Sequence, residues 1–167
     1  VATSSLFARA ARSSSEMNFI TYEFCRRIKL SLSVGVVGLG IMGGSFARNL
    51  LADGQAVTGF DIVEGNVTKI VELGGEAGAT PKDVANRVDV VITSLPTVRA
   101  FQEVITGEDG LVEASKDGLI LIECSTFPIA EKQAMHDALL KVGTIMLDCP
   151  ISGTGAQAVN KDLSVYG

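Results

Sequence analysis

The chain has 167 residues, 47% of them hydrophobic, and a formal net charge of −5. That is one domain's worth of material with enough apolar residues for a core, and the acidic balance argues against nucleic acid as a main partner, because a phosphate backbone calls for a basic face. No apolar run approaches the ~18 residues of a membrane helix, and three scattered cysteines without a CxxC, beside the single His136, argue against a zinc site and for reduced, mostly buried thiols.

The segment from Val1 to Ser15 holds five serines, four alanines, Arg9 and Arg12 and no acid. This composition resembles a mitochondrial transit peptide. A disordered or artefactual extension, with Met17 as an internal start, is the plainer and preferred reading, so the expected compartment is the cytoplasm, with the mitochondrial matrix as alternative. Residues 1–31 are set apart from the fold.

From Leu32 onward strand and helix signals alternate. Short Val/Ile/Leu-rich runs, as in buried parallel strands, fall at Val34–Leu39, Ala56–Phe60, Asp89–Ser94, Leu119–Glu123 and Thr144–Leu147, with a brief extended piece near Glu76–Ala77. Between them lie helical patterns. Ile41–Ala52 places Phe46, Leu50 and Leu51 on one side, and Glu64–Leu73 places Val67, Ile70, Val71 and Leu73 inward. Pro81 opens a short helix capped by Thr80, and Thr97–Ile105 follows Pro96. Pro128 sits in the first turn of the longest helix, whose Ala134, Met135, Ala138, Leu139 and Val142 recur at helical spacing before Gly143. A last extended piece covers 163–167. The alternation predicts an α/β fold: a doubly wound parallel sheet of Rossmann type, with helices on both faces and ligands at the carboxyl ends of the strands.

Those ends carry the candidate site. Gly38-Leu39-Gly40-Ile41-Met42-Gly43 closes the first strand and opens the first helix. In a GxGxxG run so placed, the first glycine permits the turn, the second lets the backbone meet a pyrophosphate, and the third lets helix and strand approach. The amides of the helix's first turn then face the phosphates. Asp61 ends the second strand, 21 residues after Gly40; its carboxylate suits ribose hydroxyls and would repel a 2′-phosphate, which favours NAD over NADP. A strand-end turn aspartate is the plain alternative. Leu95-Pro96-Thr97 offers an apolar shelf and a hydroxyl after the fourth strand. Ser125 and Thr126 stand before a helix, where they either cap it or bond a substrate carboxylate or the nicotinamide ribose. The Asp148–Ala156 loop, with Ser152 and Gly153, is either a polar turn or an anion cradle. Cys149 precedes Pro150 with no histidine to activate it, and is not read as a nucleophile.

Four stretches in this order, Val36–Gly43, Val91–Pro96, Cys124–Pro128 and Asp148–Gly153, resemble the β-hydroxyacid dehydrogenases. That family includes 3-hydroxyisobutyrate dehydrogenase, tartronate semialdehyde reductase and L-threonate dehydrogenase, and is related to 6-phosphogluconate dehydrogenase. The wording from Asp148 to Gln157 is most like the threonate branch. The resemblance covers about residues 33–167. It implies NAD(P)-dependent oxidation of a small β-hydroxyacid, with Gly38, Gly40 and Gly43 as the phosphate loop and Leu39, Ile41 and Met42 along it. Asp61 would take the adenosine ribose, Leu95, Pro96 and Thr126 the nicotinamide side, and Ser125, Ser152 and Gly153 the substrate.

The family's catalytic lysine and helper asparagine lie in a helical second domain, which this chain stops short of at Gly167. Asn160 and Lys161 precede the last extended piece and do not stand in for them. The expectation is therefore 32–167 as the dinucleotide-binding part of a two-domain oxidoreductase, with no catalytic residue of its own and a homo-oligomer only where the second domain is present. A stand-alone dinucleotide-binding module without catalysis is the alternative. A third outcome is an unstable product whose apolar face is left bare.

Overall fold

The structure, a computed structural model, describes residues 32–166. The expectations for residues 1–31, Cys25 among them, lie outside the described residues.

Six short strands, β1 (Val34–Val37), β2 (Val57–Phe60), β3 (Glu76–Ala77), β4 (Val90–Thr93), β5 (Ile120–Glu123) and β6 (Ile145–Asp148), form one parallel sheet in the order β3-β2-β1-β4-β5-β6. The helices are α1 (Ile41–Ala52), α2 (Glu64–Glu72), α3 (Pro81–Arg87), α4 (Val98–Thr106) and α5 (Ile129–Leu140). Each predicted strand is present; most are trimmed, but Glu76–Ala77 keeps its bounds and β6 starts one residue later and ends one residue later than expected, at Asp148. The first stops at Val37 because Gly38 turns away at φ +89°. Strand order reverses between β1 and β4, so the crevice for a ligand opens above those two strands.

Alternation along the strands feeds two cores. Val37, Val91, Leu121 and Met146 pack with Val84, Phe101, Ile105, Met135 and Leu139 of α3, α4 and α5. On the opposite face Val36 and Val57 pack with Ala47 of α1 and Ile70 of α2. This second layer does not reach across the sheet. In the row Val36, Ile92, Ile122, Leu147, cover falls from complete at Val36 to 45% exposure at Leu147. In the parallel row Ile145 is 53% exposed. Among the described residues β6 is also an edge of the sheet.

Several details of the helical patterns differ. Val71 and Leu73 are exposed, because α2 turns only Ile70 fully inward and half-buries Val67. Phe46 is half-buried, while the small residues Gly43 and Ala47 and the hydroxyl-bearing Ser45 fill the tight face of α1. In α5, Ala134 is exposed and Lys132 is buried; Val142 lies past the helix end and is exposed. Pro128 is the cap of α5 rather than its first-turn residue, and α1 is as long as α5. Beyond β6, a ribbon of β7 (Ile151–Ser152) and β8 (Ser164–Val165) pairs antiparallel around a short helix α6 (Gly155–Val159) that the sequence pattern did not reveal. Thr154 and Gln157 form a capping box at its start.

At the amino edge of β4, Asp89 is tied reciprocally to Ser33. Ser33 N–H and Oγ–H donate to Oδ2 at 3.0 and 2.8 Å, and Asp89 N–H donates to Ser33 Oγ. Lys116 Nζ donates to Oδ1 at 2.8 Å. The Lys116 bond, then those from Ser33, hold the Asp89 carboxyl down at about 2. A carboxyl depressed in the folded state stabilises above its unfolded value and loses that contribution as pH falls toward the folded one. Thermal stability is therefore expected to drop between about pH 4 and pH 2, and Asp89→Asn to flatten that part of the curve. Melting temperatures across this window check it; parallel curves for the two proteins would refute it.

Candidate functional site

The residues expected to form a phosphate loop, Gly38–Gly43, sit at the mouth of β1. Gly38 touches the end of β4: a Cβ on it would lie 2.4 Å from Ser94 O and 3.0 Å from Leu95 Cδ2. Gly43 lies against the same turn, where a Cβ would fall 1.8 Å from Gly38 O. Gly40 is different. Its φ of −64° suits any residue, and a Cβ there would meet nothing within 4 Å. No contact among the described residues calls for a glycine at that point, and the space beside its main chain is open. Among the described residues the N–H groups of Ile41, Met42 and Gly43, the first turn of α1, have no protein acceptor, and no side chain caps the helix. Free amides, the positive end of a 12-residue helix and space at Gly40 together make an anion cradle. Ile41 stands 79% exposed above it.

Asp61 is bound into this cradle. Its Oδ2 accepts from Leu39 N–H at 2.7 Å and more weakly from Asn66 Nδ2 at 3.4 Å; Oδ1 accepts from Val63 N–H at 2.8 Å. The turn role and the ribose role are thus compatible, since a carboxylate has about four acceptor positions. Lys69 donates to Asn66 Oδ1 at 3.4 Å, which brings a cation within one residue of Asp61. An open cleft of about 660 Å³ runs from Leu39, Gly40 and Ile41 between α1 and α2, with Arg48, Asn66 and Lys69 on its walls. It lies on the β1/β2 side of the crevice, and neither Leu95 nor Ser125 lines it. Ile62, directly after Asp61, is 93% exposed, an apolar residue at a strand mouth that sequence reasoning passed over.

The other half of the crevice is built from the ends of β4 and β5. Leu95 packs against the core, while Pro96 and Thr126 are exposed. Neither Ser125 nor Thr126 caps α5. Ser125 Oγ instead accepts from Leu95 N–H at 2.9 Å, joining the two strand exits. Ser152 and Gly153 lie at the end of β7, both exposed, with Gly153 at φ +144° against Leu163. They join the loop indirectly, through Gly155, whose Cβ position is 2.5 Å from Ile41 Cγ2. The structure thus links Asp61, Leu39, Gly38, Leu95 and Ser125 through direct contacts, and sets Ser152 and Gly153 beside them on a separate ribbon.

Sequence reasoning missed the charged cluster beneath this floor. Lys132 of α5 is 7% exposed and Glu123 of β5 fully buried. Lys132 Nζ donates to Ser125 O at 2.6 Å and to Asp148 Oδ1, and Glu123 Oε2 stands 2.7 Å from it as an ion pair. Glu123 Oε1 accepts from Ser125 N–H at 2.8 Å. Burial works to lower the Lys132 pKa, but the bonds to Asp148 and Glu123 prevail and raise it, so the ammonium stays charged. The signal was present: an acid closing an otherwise apolar buried strand needs a cation. Beside it, burial and then the Glu123 charge push the Cys124 thiol up to about 12, which leaves it inert. His136 is half-buried, its Nδ1 lies 3.3 Å from Asp137 Oδ1, and no metal-binding cluster occurs among the described residues.

Residues 33–166 match the family model of the NAD-binding domain of 6-phosphogluconate dehydrogenase. The chain is 34% identical over 158 residues to the probable mitochondrial 3-hydroxyisobutyrate dehydrogenase of Dictyostelium discoideum, a match over 92% of this chain and 49% of that protein. Among solved structures, Mycobacterium tuberculosis 3-hydroxyisobutyrate dehydrogenase with L-serine is similar at 26% identity and a TM-score of 0.75, over 80% of this chain and 45% of that one. Psf3 in complex with NADP+ and 2-OPP is similar at 25% identity and a TM-score of 0.75, over 79% and 47%. The chain spans about half the length of the curated relatives it matches. No helix among the described residues is long and apolar enough to cross a membrane.

Proposed function

The chain belongs to the family of the NAD-binding domain of 6-phosphogluconate dehydrogenase, and from that premise we propose that residues 33–166 hold a nicotinamide dinucleotide across the β1/β4 switch point for hydride exchange with a small β-hydroxyacid. The observation that carries this is Gly40: among the described residues, open space beside a glycine that no contact requires, next to helix amides without a protein acceptor. When bound, the nicotinamide supplies a hydride acceptor. The protein's own work is binding and orientation. The Gly38–Gly43 turn, with Leu39, Ile41 and Met42, grips the diphosphate; Asp61 takes the adenosine ribose, and exposed Ile62 flanks the adenine. Leu95, Pro96 and Thr126 wall the nicotinamide. Ser125 Oγ still has its own proton to donate, and with Ser152 and the Gly153 main chain it faces the substrate carboxylate.

The hydroxyl proton of a β-hydroxyacid needs an acceptor. Lys132 is not that group, since its ammonium is committed to Ser125, Glu123 and Asp148. We assign the acceptor to a part of the protein outside residues 33–166. The unpaired Cys124 and Cys149 suit a reducing compartment, cytosol or mitochondrial matrix.

Asp61 favours NAD, with Lys69 close enough to soften the exclusion of a 2′-phosphate. Calorimetry with NAD, NADP and ADP-ribose tests the reading: the purified chain binds all three, NAD more tightly than NADP. In Asp61→Ala both affinities fall as the Leu39 anchor goes. The ratio of NAD to NADP affinity falls about tenfold, since one nearby charge at a partly exposed site is worth ~1–2 kcal/mol. An unchanged ratio would remove Asp61 from the ribose. No heat with any of the three ligands would end the proposal.

A further inference from the structure

Resting on that reading, we infer that Lys132 and Glu123 are positioning residues for the nicotinamide half of the site. They hold Ser125 from beneath without touching the ligand. Three atoms of Ser125 are fixed at once. Its N–H goes to Glu123 Oε1 at 2.8 Å, its carbonyl accepts from Lys132 Nζ at 2.6 Å, and its Oγ accepts from Leu95 N–H at 2.9 Å. The last bond carries the constraint across to the β4 exit, so one buried ion pair sets both sides of the nicotinamide wall. The third partner, Asp148, extends the hold to the β6 exit, and Cys149 N–H donates to Glu123 O at 2.8 Å.

The diphosphate half has its own anchor, the Asp61 bond to Leu39, on the other side of the switch point. Asp61 and the Lys132 cluster share no hydrogen-bond partner. Two anchors on opposite sides of the strand reversal make the two halves of the crevice separately adjustable. A loop exit without such an anchor would let Ser125 and Leu95 drift, and displacement on the scale of an ångström is enough to undo a positioned contact.

The double substitution Lys132→Met with Glu123→Gln removes the buried charge pair while leaving neither partner as a lone buried ion. The readout is the ratio of NADH affinity, from nicotinamide fluorescence, to ADP-ribose affinity, from calorimetry. The parent protein binds NADH more tightly than ADP-ribose. The double variant keeps ADP-ribose affinity within about twofold, as expected of separate sites, and its NADH affinity falls by about tenfold, as misplacement of the wall predicts. A folded double variant with the parent's ratio overturns the inference. So does a parent that binds both ligands equally, which would leave the phosphate loop intact and show the wall unengaged. A parent that binds neither ligand sinks the dinucleotide reading itself. Should the double variant not fold, Asp148→Asn, at a residue with a half-exposed side chain, decides by the same ratio: a fall supports the positioning role and no change overturns it.

Discussion

Gly40→Val abolishes measurable dinucleotide binding and leaves the fold standing. The backbone at Gly40 lies in an ordinary region and a Cβ meets nothing within 4 Å, so the isopropyl group fits the free protein. The cost is confined to replacing a glycine at a helix N-cap by a poor capping residue, about 1 kcal/mol, or a melting point lower by about 3 °C. The ligand suffers far more. The side chain fills the approach to the orphan amides of α1, and affinity falls by at least about 100-fold, since a diphosphate held away from those amides loses several hydrogen bonds at once. Calorimetry for NAD beside a thermal melt tests both halves of this statement. Retained binding would show that the diphosphate does not approach that turn.

Gly43→Ala does the reverse first: it damages the protein. A single methyl group would lie 1.8 Å from Gly38 O and 3.4 Å from Val36 Cγ1. The obstacle is main chain, so no rotamer relieves it. Helix α1 must lift off β1, carrying with it Ala47, which is fully buried in the smaller core. Overpacking of this kind costs about 3 kcal/mol or more, a melting point lower by roughly 10 °C, and binding goes as the cradle opens. A melt within a couple of degrees of the parent would mean that α1 is not packed as described. Two glycines three residues apart in one motif thus separate by cause: the space beside Gly40 is open, while Gly43 lets the helix approach the strand.

The sheet could be read from the sequence because each buried parallel strand is a nearly unbroken Val/Ile/Leu run set off by turn residues, as Val90–Thr93 is by Asp89 and Pro96. The Gly38–Gly43 turn and Asp61 could be located because a GxGxxG run after one strand and an acid at the end of the next mark fixed points of a strand–helix–strand unit. What escaped notice depends on contacts between distant segments. Lys132 has an ordinary place in a helix, and only the approach of β5 and β6 to α5 gives it Glu123 and Asp148 as partners. Position before a helix suggests that Ser125 is a cap or a ligand contact, while the bond its Oγ accepts, from Leu95 N–H, crosses 30 residues. Helix α6 is five residues long, too short for periodicity to register, and its capping box is visible only once Thr154 and Gln157 are known to lie at its start. Periodicity alone points Val71 and Leu73 inward, but α2 rests on the sheet through Ile70 and leaves them facing water.

The thinning cover over β6 governs how the chain behaves as a material. Ile145 and Leu147 form an oily strip on an edge strand. Bare hydrocarbon beside unsatisfied ladder groups is the starting condition for sheet-to-sheet sticking. Colloidal stability, rather than unfolding, is therefore expected to set the upper concentration for spectroscopy, and a mild amphiphile to raise it without moving the melting point.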